Sequence, residues 1–232
     1  MAQTTLTRST RARETTVAMK ILMAVTGVIF VLFVLMHMYG NLKMFAGPEA
    51  YNGYAEHLRE FGEPILPREG LLWILRVALF TSVVVHGYSA FSLWNRARKA
   101  RGTPYVNKHP IATSYAVRTM RWGGVIILAF VVFHLLHFTT LHIEIGGDYQ
   151  ALSPYERMIV SFEFWWLWLA YLVVMVTLAF HVRHGVWSSL ATFGANKKRR
   201  ERAINLVAIL AALLLVVGFM LPPTAILLDF IN

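Results

Sequence analysis

The chain has 232 residues, of which 57% are hydrophobic and only 15% charged, well below the roughly 25% charged of an ordinary soluble domain. A net charge of +10 invites a nucleic-acid reading, but the basic residues concentrate in alternate connections, which opposes it. With no cysteine, the chain has no disulfide frame, no thiolate zinc site and no iron–sulfur cluster ligated by its own residues.

Runs of about 20 apolar residues predict an all-α integral membrane protein, a single domain over 1–232 with five transmembrane helices at 18–42, 71–94, 122–143, 163–190 and 204–228. The first run is too long for a cleavable leader, contains Thr26, His37 and Tyr39, and lacks a small-residue cleavage site after it. The fifth has no histidine, is expected to end at Pro222-Pro223, and reads as a packing helix beside a four-helix core.

Basic residues alternate with the loops. Arg8, Arg11, Arg13 and Lys20 precede helix one; Arg96, Arg98, Lys99, Arg101, Lys108, Arg118 and Arg121 join helices two and three; Lys197, Lys198, Arg199, Arg200 and Arg202 join four and five. The other loops carry Glu49, Glu56, Glu60, Glu63 and Glu69, and then Glu144, Asp148, Glu156 and Glu163. By the positive-inside rule the N-terminus is cytoplasmic and the C-terminus outside. Tryptophans agree, with Trp73, Trp165 and Trp166 near the outer interface and Trp94, Trp122 and Trp187 near the inner one.

Six of the nine histidines, His37, His86, His134, His137, His181 and His184, fall inside the apolar runs. Imidazole in hydrocarbon is costly and faces the bundle interior. A single one reads most simply as a polar group bonded across helices, whereas a set distributed over four helices fits axial ligation of two haems. His57, His109 and His142 lie in loops or at an interface and read as solvated.

A repeat organises the set. Gly27-Val28-Ile29 precedes His37 by the same distance that Gly124-Val125-Ile126 precedes His134, and each glycine follows a small residue, Thr26 or Gly123. Eleven positions bring that small residue back to within roughly 20° of the histidine face, about 16 Å away along the axis. Helices two and four share His86-Gly87-Tyr88-Ser89 and His184-Gly185-Val186-Trp187-Ser188, where glycine permits close approach of a flat group or a neighbouring helix. Two ligand pairs follow, one from helices one and three in their outer portions, one from helices two and four in their inner portions. Counting at 1.5 Å per residue leaves His134 against His137, and His181 against His184, open.

These residues resemble the membrane cytochrome b subunit of succinate:quinone oxidoreductases, the five-helix, di-haem type, over essentially the whole chain. The carriers are Thr26-Gly27 through His37-Met38, His86 before Ser89-Ala90, Gly123-Gly124 through His134-Leu135, and His184-Gly185. The resemblance implies His37 with His134 as iron ligands of the outer b haem and His86 with His184 as those of the inner one, leaving His137 and His181 as additional histidines. It further implies a multi-pass subunit of succinate dehydrogenase in the cell membrane, serving the tricarboxylic acid cycle and able to belong to a higher oligomer. That subunit takes electrons from a flavoprotein and an iron–sulfur subunit docked on the basic cytoplasmic loops and passes them to a quinone, menaquinone by expectation.

No dicarboxylate, flavin or dinucleotide motif lies on this chain. The same wiring run backward gives a quinol:fumarate reductase; the anchor of a hydrogenase or nitrate reductase is another di-haem reading, and a histidine-relay transporter a third. The outer loop Tyr51 to Glu69, with Glu56, Glu60, Glu63 and His57, is the expected quinone region, since quinone reduction consumes protons. Arg76 and Arg183 are each read as propionate partners or as snorkelling cations.

Overall fold

The computed structural model describes residues 3–100, 112–194 and 201–232, with side chains from residue 16 of the first segment and residue 119 of the second. Within them every regular element is helical: α1 (Gln3–Leu42), α2 (Pro48–Glu60), α3 (Gly70–Lys99), α4 (Ala112–Phe138), α5 (Pro154–Phe162), α6 (Trp165–Thr192) and α7 (Glu201–Leu227), with a short 3₁₀ turn at Lys43–Ala46. Five helical stretches are long and apolar enough to cross a membrane: Thr16–Ala46, Gly70–Lys99, Thr119–Phe138, Trp165–Thr192 and Glu201–Leu227. In hydrocarbon a backbone must satisfy its own polar groups, so such runs form helices.

The distribution of side chains is that of a protein solvated by lipid. Leu32, Phe80, Val132, Val173, Leu210 and Val217 are exposed, while Thr26, Ser82, Ser89, His137 and Ser161 are buried. Large apolar side chains cover the outside while the few buried polar groups lie within an otherwise apolar interior, as expected of a chain surrounded by lipid.

Several boundaries differ from the sequence expectation for local reasons. Helix three stops at Phe138 rather than 143: the Thr139 and Thr140 N–H groups both turn back to the Leu135 carbonyl, and Leu141 takes a positive φ of 55°. Hydropathy carries on past this stop, because Leu141 and Ile143 are apolar although no longer helical. Helix one begins far earlier than 18; its 40 residues span about 60 Å, twice the hydrocarbon thickness. Pro222 and Pro223 do not end the last helix but lie buried inside α7. Proline lacks the N–H that an internal turn uses, and the turn is held instead by packing and by the Trp168 indole N–H donating to Thr224 Oγ1 at 3.0 Å.

Two connections expected only as loops contain α2 and α5. The α2 helix opens on Gly47 (φ 90°) with Pro48 in its first turn. The α5 helix opens on a capping box in which Ser153 accepts from the Glu156 N–H while the Glu156 carboxylate accepts from Ser153 N–H at 2.7 Å. These bonds, first the backbone one, hold the Glu156 carboxyl below its usual range. Asn52 Oδ1 accepts from the Tyr155 N–H at 3.0 Å, and the Tyr51 and Tyr155 rings meet edge to face, so the two connections make one cap over this end of the bundle. A core of Met44, Tyr155, Met158, Phe162, Leu167, Tyr171, Met175, Met220 and Ile226 lies beneath it.

The long helices pack in the row α3, α1, α6, α4, with α7 laid against α1 and α6. Buried Ala208, Ala212 and Gly218 give α7 its close approach, as small residues do at membrane helix contacts. Neither α1 with α4 nor α3 with α6 is among the closely packed pairs. Those are the helix pairs that carry the facing histidines described next.

Candidate functional site

At the capped half of the bundle, His37 on α1 and His134 on α4 face each other with ring centres 5.8 Å apart, nearly perpendicular. Phe33 stacks on His37 at 5.5 Å and Phe219 of α7 approaches it at 5.8 Å, while Phe130 stacks on His134. The expected outer pair is thus brought together.

At the opposite half, His86 on α3 faces His181 on α6, ring centres 6.4 Å apart. The expected partner, His184, stands one turn further along α6 with its ring beside Trp187 at 6.2 Å. Three residues leave the two side chains about 60° apart around the helix and about 4.5 Å apart along it, so only one of them stands level with His86. The sequence pairing matched His86-Gly87 to His184-Gly185, but the neighbouring glycines do the matching in space. A Cβ on Gly27 would meet His86 Cε1 at 3.8 Å, and one on Gly124 would meet His181 Cε1 at 3.6 Å. The small residues of the repeat in helices one and three therefore stand beside the His86 and His181 rings, and the equivalent partner of His86 is His181.

Thr26 does more than leave space. Its hydroxyl donates to the Leu22 carbonyl at 2.7 Å and lies 3.0 Å from His86 Nδ1. With its proton committed to the carbonyl, Thr26 Oγ1 accepts from Nδ1–H, which leaves Nε2 of His86 with a free lone pair. Because Thr26 marks the level of His86 and lies eleven residues before His37 on the same helix, the two histidine pairs are about 16 Å apart along the bundle.

Two buried side-chain atoms lack any partner among the described residues, Ser89 Oγ and His181 Nδ1. Both belong to this second site, Ser89 lying one turn beyond His86 on α3. Orphaned buried polar atoms are rare enough to require a cause.

His137 is a contrast. Fully buried, it uses both ring nitrogens, Nδ1 with Tyr171 Oη at 3.2 Å and Nε2 with Tyr149 Oη at 2.7 Å. No nitrogen is left over for a metal. Neither tyrosine was singled out from the sequence, and Tyr149, in a connecting segment beyond Gly146-Gly147, carries no spacing signal that would have found it.

Arg76 pairs with Glu69 at 3.4 Å and lies over the Trp73 ring, and Arg183 is exposed. In the first capped connection, Glu56 pairs with Arg59 at 3.4 Å and with Arg68, Glu60 with Arg68 at 3.5 Å, and Glu69 with Arg59 at 3.5 Å. Glu63 takes no part in the described ion pairs, and His57 is exposed beside Phe61. Burial, and then its neighbour Tyr54, push the Tyr51 hydroxyl up to about 12, so it stays a neutral donor at neutral pH. At the other end Arg121 lies over the Trp94 ring. Arg101, Lys108, His109, Lys197, Lys198, Arg199 and Arg200 lie outside the described residues, as do the side chains of Arg8, Arg11, Arg13 and Arg118.

No cluster of three or more metal-ligating side chains occurs among the described residues. The described residues thus contain five helices long and apolar enough to span a membrane and two facing histidine pairs, each able to offer a metal two nitrogens. Comparison with protein-family models, with curated proteins and with solved structures finds no match to this chain.

Proposed function

We propose that this chain is the di-haem cytochrome b anchor of a succinate:quinone oxidoreductase in the cell membrane, with its N-terminus cytoplasmic and the cap of α2 and α5 outside. The observation that carries the reading is the two pairs of facing imidazoles at two depths, 5.8 and 6.4 Å between ring centres. Two imidazoles that would hold one metal between them through metal–nitrogen bonds of about 2 Å would have ring centres roughly 6 Å apart, as both pairs do. A site offering only two protein nitrogens would suit haem, which brings most of its own iron ligands, better than a bare metal ion held by protein side chains alone. That neither α1 and α4 nor α3 and α6 pack closely on each other favours the same group, as does the unpartnered His181 nitrogen.

Bound haem supplies a one-electron iron centre. On this reading His37 and His134 hold the outer one, and His86 and His181 the inner one, His181 replacing the His184 implied by resemblance. Thr26 orients His86, Gly27 and Gly124 keep space beside the inner rings, and the apolar helices exclude water. The basic cytoplasmic connections form the docking face for an iron–sulfur subunit and, beyond it, a flavoprotein. The quinone, menaquinone on this reading, is reduced beside the outer pair beneath the first connection, where Glu63, His57 and the neutral Tyr51 hydroxyl can supply or relay protons.

Purification of the chain from its native membrane tests the assignment of partners. A flavoprotein and an iron–sulfur protein should accompany it and the preparation should reduce quinone with succinate. A hydrogenase or nitrate reductase in their place would move the chain to another respiratory complex.

A further inference from the structure

The hydrogen bonds of His137 continue in both directions. Tyr171 Oη lies 3.4 Å from His134 Nδ1 and 3.2 Å from His137 Nδ1. On the other side, His137 Nε2 reaches Tyr149 Oη at 2.7 Å, and that hydroxyl donates to the Ile145 carbonyl at 3.0 Å. Ser161 bonds Tyr149 and donates to the Arg157 carbonyl, and also lies 3.4 Å from His137 Nε2. Tyr149, His137 and Ser161 are fully buried and Tyr171 nearly so, so water does not compete for these bonds.

The proton order of this chain follows from its far end. Carbonyl oxygens only accept, so Tyr149 gives its single proton to Ile145, and the Ser161 hydroxyl shares its own between the Arg157 carbonyl and the Tyr149 oxygen. Tyr149 must then accept from His137 Nε2–H. A neutral imidazole carries one N–H, so His137 Nδ1 accepts, and the proton it accepts is that of Tyr171. Having spent its proton, the Tyr171 oxygen accepts from His134 Nδ1–H. The other proton order would leave the Ile145 carbonyl without this donor.

We propose that Tyr171, His137, Tyr149 and Ser161 form a directed hydrogen-bond relay that holds His134 as an Nδ1–H donor, presents its Nε2 toward His37 and raises its basicity. The inference rests on the haem reading above. All four are positioning residues: they act on the outer site through His134. His137 is then neither a spare ligand nor simple packing, but the central member of that relay. An outer-sphere acceptor on the second nitrogen of a metal-bound imidazole fixes its tautomer and strengthens it as a ligand, which favours the oxidised metal and lowers the reduction potential. Thr26 does the same for His86 in one step, so each pair has one histidine oriented by a hydroxyl from another helix.

Potentiometric titration of the purified complex, following the two haems separately, reads this directly. Tyr149→Phe and the milder Ser161→Ala, neither of which touches a proposed ligand, should raise the midpoint of one haem and leave the other in place. Thr26→Val should raise the other and spare the first. Midpoints unmoved by Tyr149→Phe and Ser161→Ala, or both haems moved alike, would overturn the relay while leaving the haem assignment standing. Nitrogen-15 NMR of histidine-labelled, unmodified, reduced protein needs no variant: His137 should carry its proton on Nε2, and a proton on Nδ1 would overturn the relay. A preparation with no b haem would overturn both the relay's purpose and the function it rests on.

Discussion

At the scale of single residues, the choice of ligand turns on which ring nitrogens are free. His137 matches His134 in depth on counting alone, yet both its nitrogens are bonded to tyrosine hydroxyls. His181 has a buried nitrogen with no partner and faces His86. His181→Leu should therefore remove one haem of two, whereas His184→Leu should retain both, as read by haem quantified per chain. Loss of a haem with His184→Leu and none with His181→Leu would restore the pairing that resemblance implied. The histidine set, its division between helices and the role of the small residues in the repeat were legible in the sequence. Which of two histidines one turn apart points inward was not, since helix rotation depends on tertiary contacts that spacing does not carry.

At the scale of elements, the five spans were legible because lipid demands about 20 apolar residues from each. Their ends were less so, since hydropathy does not register a stop such as that after Phe138. The α5 helix has a local signature, Ser153 three residues before Glu156, fainter than the long apolar runs on either side. Ser153→Ala should destabilise the cap by about 1 kcal/mol, measured as a lower unfolding temperature in detergent. The Glu156 half of that capping box is present above the ordinary carboxyl range and is lost as pH falls through its lowered value. In the first connection the carboxylates Glu56 and Glu60 are tied to arginines, in exposed pairs that are each worth little. Single replacements Glu56→Gln, Glu60→Gln and Glu63→Gln test the quinone region: Glu63→Gln should slow quinone turnover most, and unchanged rates in all three would remove the site from this loop.

For the whole molecule, the two histidine pairs lie about 16 Å apart, roughly half of a 30 Å hydrocarbon core. An electron moving outward between those depths gains about 1 kcal/mol per 100 mV when the outside is positive. Membrane potential should thus assist transfer from succinate to menaquinone, and an uncoupler should slow that activity in intact membranes; an unaffected rate would contradict the orientation. The net charge of +10 reads on this account as topology and as a docking face. It does not imply nucleic acid, because the basic residues flank spans on one side.

The most direct measurement of the central claim is a reduced-minus-oxidised spectrum of the purified chain with haem quantified per polypeptide. Two b-type haems per chain are predicted, falling to one when His37 or His86 is replaced by leucine. A preparation with no absorbing haem, or one that keeps both haems without His37 and His86, would contradict the account.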